Sequence, residues 1–194
     1  MIAVAAMMVT MGANAQNMFI KPMVGGTLAT ITGDNTDNAK MKLGLVAGAE
    51  FGYHLSDPFA ITAGALVSMQ GAGMKDHDGL TDGSTTMTYL NIPILANYYV
   101  APGLALKAGL QPGFMLSYKN KYKLNGNEHE NTSKDGFKTF DLSIPLGLSY
   151  EISDFVIDAR YNLGLTNLLK TEGHSDYSQK NSVIMLTVGY KIPF

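Results

Sequence analysis

Thirteen consecutive residues, "FDLSIPLGLSYEI" (Phe140 to Ile152), alternate strictly between two kinds of side chain. The even-numbered positions are all apolar, whereas the odd-numbered positions are small or charged and include Pro145. Successive side chains of a β-strand point to opposite faces of a sheet, so this alternation predicts a strand whose two faces meet different surroundings.

The same period-two alternation recurs along the chain and predicts eight strands, and no helical period competes with it. The predicted strands are residues 19–30, 42–54, 59–71, 87–100, 104–118, 138–152, 155–168 and 182–193.

The connections between these strands alternate in length. Three are tight turns, "SDP", "APG" and "SD", and the four others are long and polar. The third long connection has lysines at its start and is expected to continue its two flanking strands as a hairpin around "NGN". Short turns at one end and long loops at the other are typical of outer-membrane barrels. We therefore predict an all-β fold, an eight-stranded antiparallel up-and-down transmembrane β-barrel with short periplasmic turns and long extracellular loops.

Eight charged residues of the predicted strands, four basic and four acidic, fall on the face opposite the apolar one. An eight-stranded barrel has an interior just wide enough for side chains to fill, and buried charges are too costly unless they pair. The sequence therefore predicts a closed lumen, filled by a balanced charge network and lined by small residues, many of them glycine. The predicted network residues are Lys21, Glu50, Lys107, Asp141, Glu151, Asp158, Arg160 and Lys191.

Aromatic residues on the apolar face cluster near both strand ends, as in the girdles of a membrane barrel. The alternative is the ordinary enrichment of aromatic residues in strands. The predicted outward aromatics are Tyr53, Tyr98, Tyr150, Phe155 and Tyr190 near the short turns, with Phe114, Tyr118 and Phe140 near the long loops.

Prolines inside the predicted strands conflict with a closed barrel, because proline cannot donate a ladder hydrogen bond. The pairs Ile92-Pro93 and Ile144-Pro145 each begin six residues before an outward tyrosine. This recurrence suggests the hypothesis that both prolines mark a β-bulge that bends the wall.

The start of the chain predicts export. Met1 to Ile20 carry no charge, and a short apolar stretch precedes Ala13-Asn14-Ala15, an A-x-A cleavage pattern. We predict a signal peptide over residues 1–15 and a barrel domain over residues 16–194. A membrane-anchor helix is the alternative, but about a dozen apolar residues are too few for a helix to span the bilayer. Outer-membrane localisation follows from export together with the barrel pattern.

Composition excludes several classes of protein. There is no cysteine, so disulfides, thiolate chemistry and lipoprotein anchoring are excluded. The chain has 14 basic and 16 acidic residues, which gives no electrostatic case for nucleic acid.

Four segments together resemble the outer-membrane β-barrel domain proteins of the Bacteroidetes type, the PorT-like barrels. They are "YLNIPILANYYV", "FDLSIPLGLSYEI", "DARYNLGLTNL" and the terminal "LTVGYKIPF", and the ending "ANAQ" of the predicted signal is also similar. The resemblance implies an eight-stranded barrel with both termini in the periplasm, but no single biochemical activity. Tyr190, Ile192 and Phe194 resemble the C-terminal signal read by the barrel-assembly machinery, which with outer-membrane lipid is the expected partner.

Candidate chemistry is sparse. Three histidines, His77, His129 and His174, fall in separate long loops and His54 at a strand end, so no nucleophilic triad is predicted. The oxygen-rich stretches "GDNTDN" and "KDHDGLTDG" do not match the calcium-loop spacing. We predict no catalytic, cofactor-binding or metal-binding residue, and a non-enzymatic structural or surface-interaction role through the long loops. A lipid-modifying outer-membrane enzyme, a narrow pore and a soluble ligand-binding barrel are the alternatives.

Overall fold

The computed structural model describes residues 17–34, 36, 39–74, 80–124, 127–133, 137–168 and 178–194. The predicted signal peptide lies outside these ranges. Within them, no helix is long and apolar enough to cross a membrane. The strands are β1 (Met18–Gly33), β2 (Ala39–Lys40), β3 (Lys42–Ser56), β4 (Phe59–Met74), β5 (Leu80–Asn91), β6 (Ile94–Ala101), β7 (Leu104–Leu124), β8 (Asn127–Asn131), β9 (Phe140–Ile152), β10 (Phe155–Gly164), β11 (Gln179–Tyr190) and β12 (Ile192–Pro193).

The strands close into a ring in which every pairing is antiparallel. The order is β1, β3, β4, β5 with β6, β7, β9, β10 and β11, and β11 pairs back to β1. β5 and β6 form one position in the ring, because both pair with β4 on one side and β7 on the other. The predicted eight-stranded up-and-down barrel is confirmed. We name its two ends the short-turn end, with the β3–β4, β6–β7 and β9–β10 connections, and the long-loop end.

The two faces of the wall differ in polarity as the alternation predicts. Large apolar side chains point outward and stay exposed, with Leu43 at 74% and Leu45 at 65%. The opposite face of the same strands holds buried charged and polar side chains, such as Glu50 and Lys107. A barrel that is apolar outside and polar inside is suited to lipid surroundings.

The hypothesis of proline bulges is wrong. Pairing keeps one register from Leu66↔Asn91 to Ala63↔Ile94, across Pro93, and Pro145 pairs in register with Asn162. Each proline only removes a donor, and the neighbouring ladder bonds persist: the N–H of Gly64 donates to the carbonyl of Pro93 at 3.0 Å. The wall tolerates these prolines without an extra residue.

A β-bulge instead lies in β7, at Leu116. Thr88 pairs with Ser117, whereas Tyr89 pairs with Met115, so the register steps by one residue there. Leu116 and Ser117 are consecutive exposed residues, and Tyr118 therefore turns inward and is buried. The prediction that Tyr118 belongs to the outward aromatic girdle is wrong, because one added residue exchanges the two faces of a strand.

The predicted hairpin in the third long connection is present. β7 continues to Leu124 and pairs with β8, and the innermost pair is Leu124↔Asn127. β7 has 21 residues, about twice the 9–11 that a tilted strand needs to cross a bilayer. The hairpin therefore projects beyond the apolar belt at the long-loop end.

Candidate functional site: the filled lumen

Five of the predicted network residues meet in one ionic cluster inside the barrel: Lys21, Glu50, Lys107, Asp158 and Arg160. Arg160 donates from Nε to Asp158 Oδ1 at 2.6 Å and from Nη2 to Asp158 Oδ2 at 2.8 Å. Its Nη1 lies 2.5 Å from Oε1 of Glu50. Lys21 Nζ lies 2.8 Å from Glu50 Oε2, and Lys107 contacts the carboxylate of Asp158.

The cluster is buried and carries a surplus of positive charge. None of its five residues is more than 6% exposed. Three cations share two carboxylates, and Asp158 contacts all three of them, Lys21 at 3.7 Å. At this depth each charge depends on its partners, because an unpaired buried ion is strongly destabilising.

Glycines on the lumen face make room for the cluster. A Cβ added to Gly64 would lie 2.6 Å from Cγ of Glu50, and one added to Gly147 would lie 2.9 Å from Cγ of Arg160. Real Cβ contacts do not come so close, and the backbone carbonyl of Ala49 is also only 2.7 Å from the Gly64 position. Small residues therefore let the long charged side chains cross in front of the neighbouring strands.

A second pair of the predicted residues, Glu151 and Lys191, lies at the short-turn mouth. Lys191 Nζ donates to Glu151 Oε2 at 2.9 Å, and the hydroxyl of Tyr99 donates to Oε1 at 2.6 Å. Lys191 also lies 4.6 Å from the ring centroid of Phe19 and 3.3 Å from Nε2 of His54. A shallow pocket of about 450 Å³ between the turns is bordered by His54, Tyr99, Glu151 and Lys191.

Asp141, the remaining predicted residue, lies toward the long-loop end and has neutral partners. Thr166 donates its hydroxyl to Oδ1, and Asn181 Nδ2 donates to Oδ2 at 2.9 Å. The eight predicted residues therefore divide into a cluster of five, a pair and a single carboxylate.

An apolar plug fills the lumen at the long-loop end. It consists of the buried side chains of Met87, Tyr89, Met115, Tyr118 and Leu168, with Ile31 and Phe137 packed against it. A smaller apolar group, Met23, Val46, Leu66 and Met185, lies next to the ionic cluster, since Met23 follows Lys21 by two positions on β1. The lumen thus alternates between ionic and apolar layers.

Sequence reasoning did not identify the plug. In "TMTYLN", Met87 and Tyr89 alternate with their neighbours and therefore lie on the same, lumen-facing side of the strand as Asn91. Two large apolar residues on this polar face were the feature of the sequence that could have indicated the plug. Leu168 carried no signal of this kind, because it follows β10 and is fixed by backbone bonds with Lys138 and Gln179.

The C-terminal residues and the histidines have defined places. Tyr190, Ile192 and Phe194 all point outward, and the ring centroid of Phe194 lies 6.0 Å from that of Phe51. His129 stacks on Tyr122 in the hairpin at 5.4 Å. His77 and His174 lie outside the described residues, as does part of both oxygen-rich stretches. In the described part of the chain, no group of three acidic or histidine side chains is placed to hold a metal ion.

The pairing of Glu130 with two lysines of the hairpin can be tested through the titration of its carboxyl group. Its carboxylate lies 2.9 Å from Lys119 Nζ and 3.3 Å from Lys121 Nζ, and the hydrogen bond from Lys119 is the main cause that lowers the pKa of Glu130 below 4.5. Because this pKa is lowered, the ion pairing stabilises the hairpin at pH values above 4.5. The stabilisation is lost as the pH falls through the folded-state pKa of Glu130. We expect the NMR carboxyl titration of Glu130 to move back toward 4.5 in Lys119→Gln, and to remain unchanged in the control Lys138→Gln. An unchanged midpoint in Lys119→Gln would contradict the pairing.

Comparison with known proteins identifies related barrels. A family model described as "Outer membrane protein beta-barrel domain" matches residues 6–170. The fold is similar to Ail, the attachment invasion locus protein of Yersinia pestis, with 16% identity and a TM-score of 0.52 over 91% of this chain and 99% of Ail. A structure of Ail in complex with the heparin analogue sucrose octasulfate gives 16% identity and a TM-score of 0.54 over the same shares. Neisserial surface protein A gives 12% identity and a TM-score of 0.51 over 91% of this chain and 97% of its own. No curated protein sequence matches the chain.

Proposed function

The chain belongs to the outer-membrane β-barrel domain family, and from this premise we propose that it is a closed, non-enzymatic barrel that acts at the surface through its long-loop end. The observation that carries the proposal is the filled lumen. The ionic cluster occupies its interior, and the apolar plug lies between that cluster and the long loops. A path for solutes would have to displace both layers.

The predicted network residues have a structural role in this proposal. The ionic cluster joins β1, β3, β7 and β10 across the interior, so it links strands that are not neighbours in the ring. Such cross-links favour one closed arrangement of the wall. The pair of Glu151 and Lys191 would do the same at the short-turn mouth, between β9 and the β11–β12 segment.

The hairpin of β7 and β8 supports the surface role. It continues beyond the apolar belt and presents charged, solvated side chains on a stiff two-stranded ribbon. Loops held by a rigid scaffold are common binding surfaces. Ail and Neisserial surface protein A are named as attachment and surface proteins, and we extend only this general role to the present chain.

The finer predictions about this barrel belong to the same proposal. We infer membership of the PorT-like, Bacteroidetes-type barrels from the four quoted segments, export by the signal over residues 1–15, and recognition of Tyr190, Ile192 and Phe194 by the barrel-assembly machinery. The outward orientation of these three side chains on the final strands supports the last inference.

Planar-bilayer recording tests the closed lumen. The full chain, reconstituted in bilayers, is expected to give no stepwise conductance at voltages at which an open porin, as the control, conducts. The physical reason is that ions would meet the apolar plug and a cluster of paired charges without a water-filled path. Reproducible unitary openings would contradict the proposal and favour the narrow pore.

A lipid-modifying enzyme and a soluble ligand-binding barrel both have weaker support than the closed surface barrel. Such an enzyme needs serine, histidine and a carboxylate within reach of one another on the outer wall. His54 is instead beside Lys191 at the short-turn mouth, and His129 stacks on Tyr122. A soluble barrel would not expose the apolar belt, in which Leu106, Leu110 and Leu148 are each about half exposed.

A further inference from the structure

The ionic cluster in the lumen holds one positive charge more than its own carboxylates balance. In the part of the chain that the structure describes, only Glu50 and Asp158 form ion pairs with the three cations, Lys21, Lys107 and Arg160. All five side chains are buried. A net charge in a low-dielectric interior is costly unless a partner neutralises it, so the cluster calls for one further negative charge.

The two lysines are the cations that a further anion could reach together. Lys21 Nζ lies 2.8 Å from Oε2 of Glu50 and 3.7 Å from Oδ2 of Asp158, and the second distance is too long for a hydrogen bond. Lys107 contacts the same Oδ2 of Asp158. Because both ammonium groups approach one oxygen, they are close enough for a single anion to contact both. Each ammonium group has three N–H donors, which is more than these contacts use.

The hydroxyl of Thr187 is a buried polar group beside the same lysine. Thr187 is 1% exposed, and among the described residues its Oγ1 has no hydrogen-bond partner. Thr187 pairs across the strands with Asp158. The stem of Lys21 crosses β11 two residues away, at Gly189, where an added Cβ would lie 2.9 Å from Cγ of Lys21. A buried hydroxyl without a partner is costly, so this donor also calls for an acceptor next to Lys21 and Asp158.

We propose that the ionic cluster binds one halide ion, with chloride as the natural ligand, between the ammonium groups of Lys21 and Lys107 and beside the hydroxyl of Thr187. One negative charge brings the cluster to neutrality, and charge-assisted hydrogen bonds from ammonium groups to an anion are strong. A divalent anion would reverse the surplus instead of cancelling it. The ion is enclosed when the barrel closes, so it is a fixed part of the ionic layer and adds no path through the lumen.

Equilibrium urea unfolding of the full chain in lipid vesicles tests this proposal. Sodium chloride is compared with sodium gluconate at the same ionic strength, because gluconate is too large for a site among packed side chains. Chloride binds only the folded barrel in this proposal. Once chloride exceeds its dissociation constant, each tenfold rise in its concentration is therefore expected to raise the ratio of folded to unfolded protein by close to tenfold, and gluconate is expected to have no such effect.

Lys107→Met and Lys119→Met form a matched pair of variants for this measurement. Lys107→Met leaves two cations with two carboxylates, so its cluster is neutral without an added ion and the response to chloride should be lost. Lys119→Met removes a solvated lysine of the hairpin, and its response to chloride should equal that of the unmodified protein.

Thr187→Asp gives an independent result, because it supplies the missing negative charge from the chain itself. This variant is expected to be as stable in gluconate as the unmodified protein is in chloride, and to gain nothing from added chloride. If Thr187 had only a packing role, the response to chloride would persist in the variant.

Bromide locates the site directly, since its anomalous scattering can be measured in crystals of the full chain. We expect one anomalous peak inside the barrel, in contact with Lys21 and Lys107. Bromide peaks on the surface alone would overturn the proposal. Equal stability in chloride and gluconate would also overturn it and would indicate that one lysine is neutral, and so would a response to chloride that survives in Lys107→Met.

Discussion

Replacement of Arg160 by methionine is expected to lower the free energy of unfolding by about 3–5 kcal/mol. Arg160 donates two hydrogen bonds to Asp158 and lies 2.5 Å from Glu50, and it is almost completely buried. Its removal leaves two carboxylates in the lumen with only lysine partners. Urea unfolding of the barrel in lipid vesicles, followed by tyrosine fluorescence and by migration of the unheated protein in gels, measures the change.

Lys107→Met is the control within the same cluster. Both variants leave two cations with two carboxylates, but Lys107→Met removes contact with Asp158 alone, whereas Arg160→Met removes contacts with Asp158 and Glu50. The cost of Lys107→Met should therefore be clearly smaller than that of Arg160→Met. Lys119→Met, at the solvated rim, is expected to change the free energy by no more than about 1 kcal/mol. If the three variants were equally stable, the ionic cluster would not contribute to holding the wall together.

The alternation along the sequence was sufficient to predict the ring and most of its two faces. β9 illustrates this, because Leu146, Leu148 and Tyr150 are exposed outward while Ser143 and Ser149 are buried. The period of two is a local property of the backbone, so local sequence determines it. Which strand follows which around the ring was also predictable, because three tight turns make their flanking strands neighbours and the alternation of short and long connections is typical of an up-and-down barrel.

The partners of the lumen charges could not be predicted in the same way. Lys21, Glu50, Lys107 and Asp158 come from four strands, and their heights depend on how far each strand is staggered against the next. That stagger is set by packing around the whole barrel and not by any one segment. The sequence thus predicted which residues face inward, but not that Asp141 would bond Thr166 and Asn181 instead of joining the ionic cluster.

Tyr118, one member of the plug, was assigned to the wrong face for a different reason, which is the single step of register in β7. Up to Met115 the strand follows the predicted parity, and after Leu116 it follows the opposite one. Tyr118 therefore joins Met87 and Tyr89 in the lumen, while Lys119 and Lys121 point outward to the rim. One bulge thereby places Tyr118 in the plug and turns the two lysines outward.

Deletion of Leu110 is expected to prevent folding of the barrel, whereas deletion of Leu116 is expected to be tolerated. Leu110 lies in a regular part of β7, so its loss exchanges the faces of the adjoining segment and turns either Lys107 or Gln111 toward lipid. A lysine at the bilayer midplane alone costs about 2–4 kcal/mol on a barrel, and the ionic cluster would be lost as well. Deletion of Leu116 instead makes Met115 and Ser117 consecutive. Their cross-strand partners, Tyr89 and Thr88, are already consecutive, so the two strands would pair there without a bulge.

The two deletions are compared with Leu110→Ala and Leu116→Ala, which shorten the same side chains without a change of register. Folding is read from the heat-modifiable band in gels, and stability from urea unfolding in vesicles. We expect the fast-migrating form of the unheated protein for both alanine variants and for the deletion of Leu116, and we expect that form to be absent for the deletion of Leu110. The three folded variants should lose at most about 2 kcal/mol of the free energy of unfolding.

Because the chain has no cysteine, a single Tyr118→Cys in the Leu116 deletion can then be tested with a lipid-soluble maleimide. Protection of this cysteine means that position 118 still faces the lumen, whereas rapid labelling from the lipid phase would show that the bulge does not set the orientation of the plug.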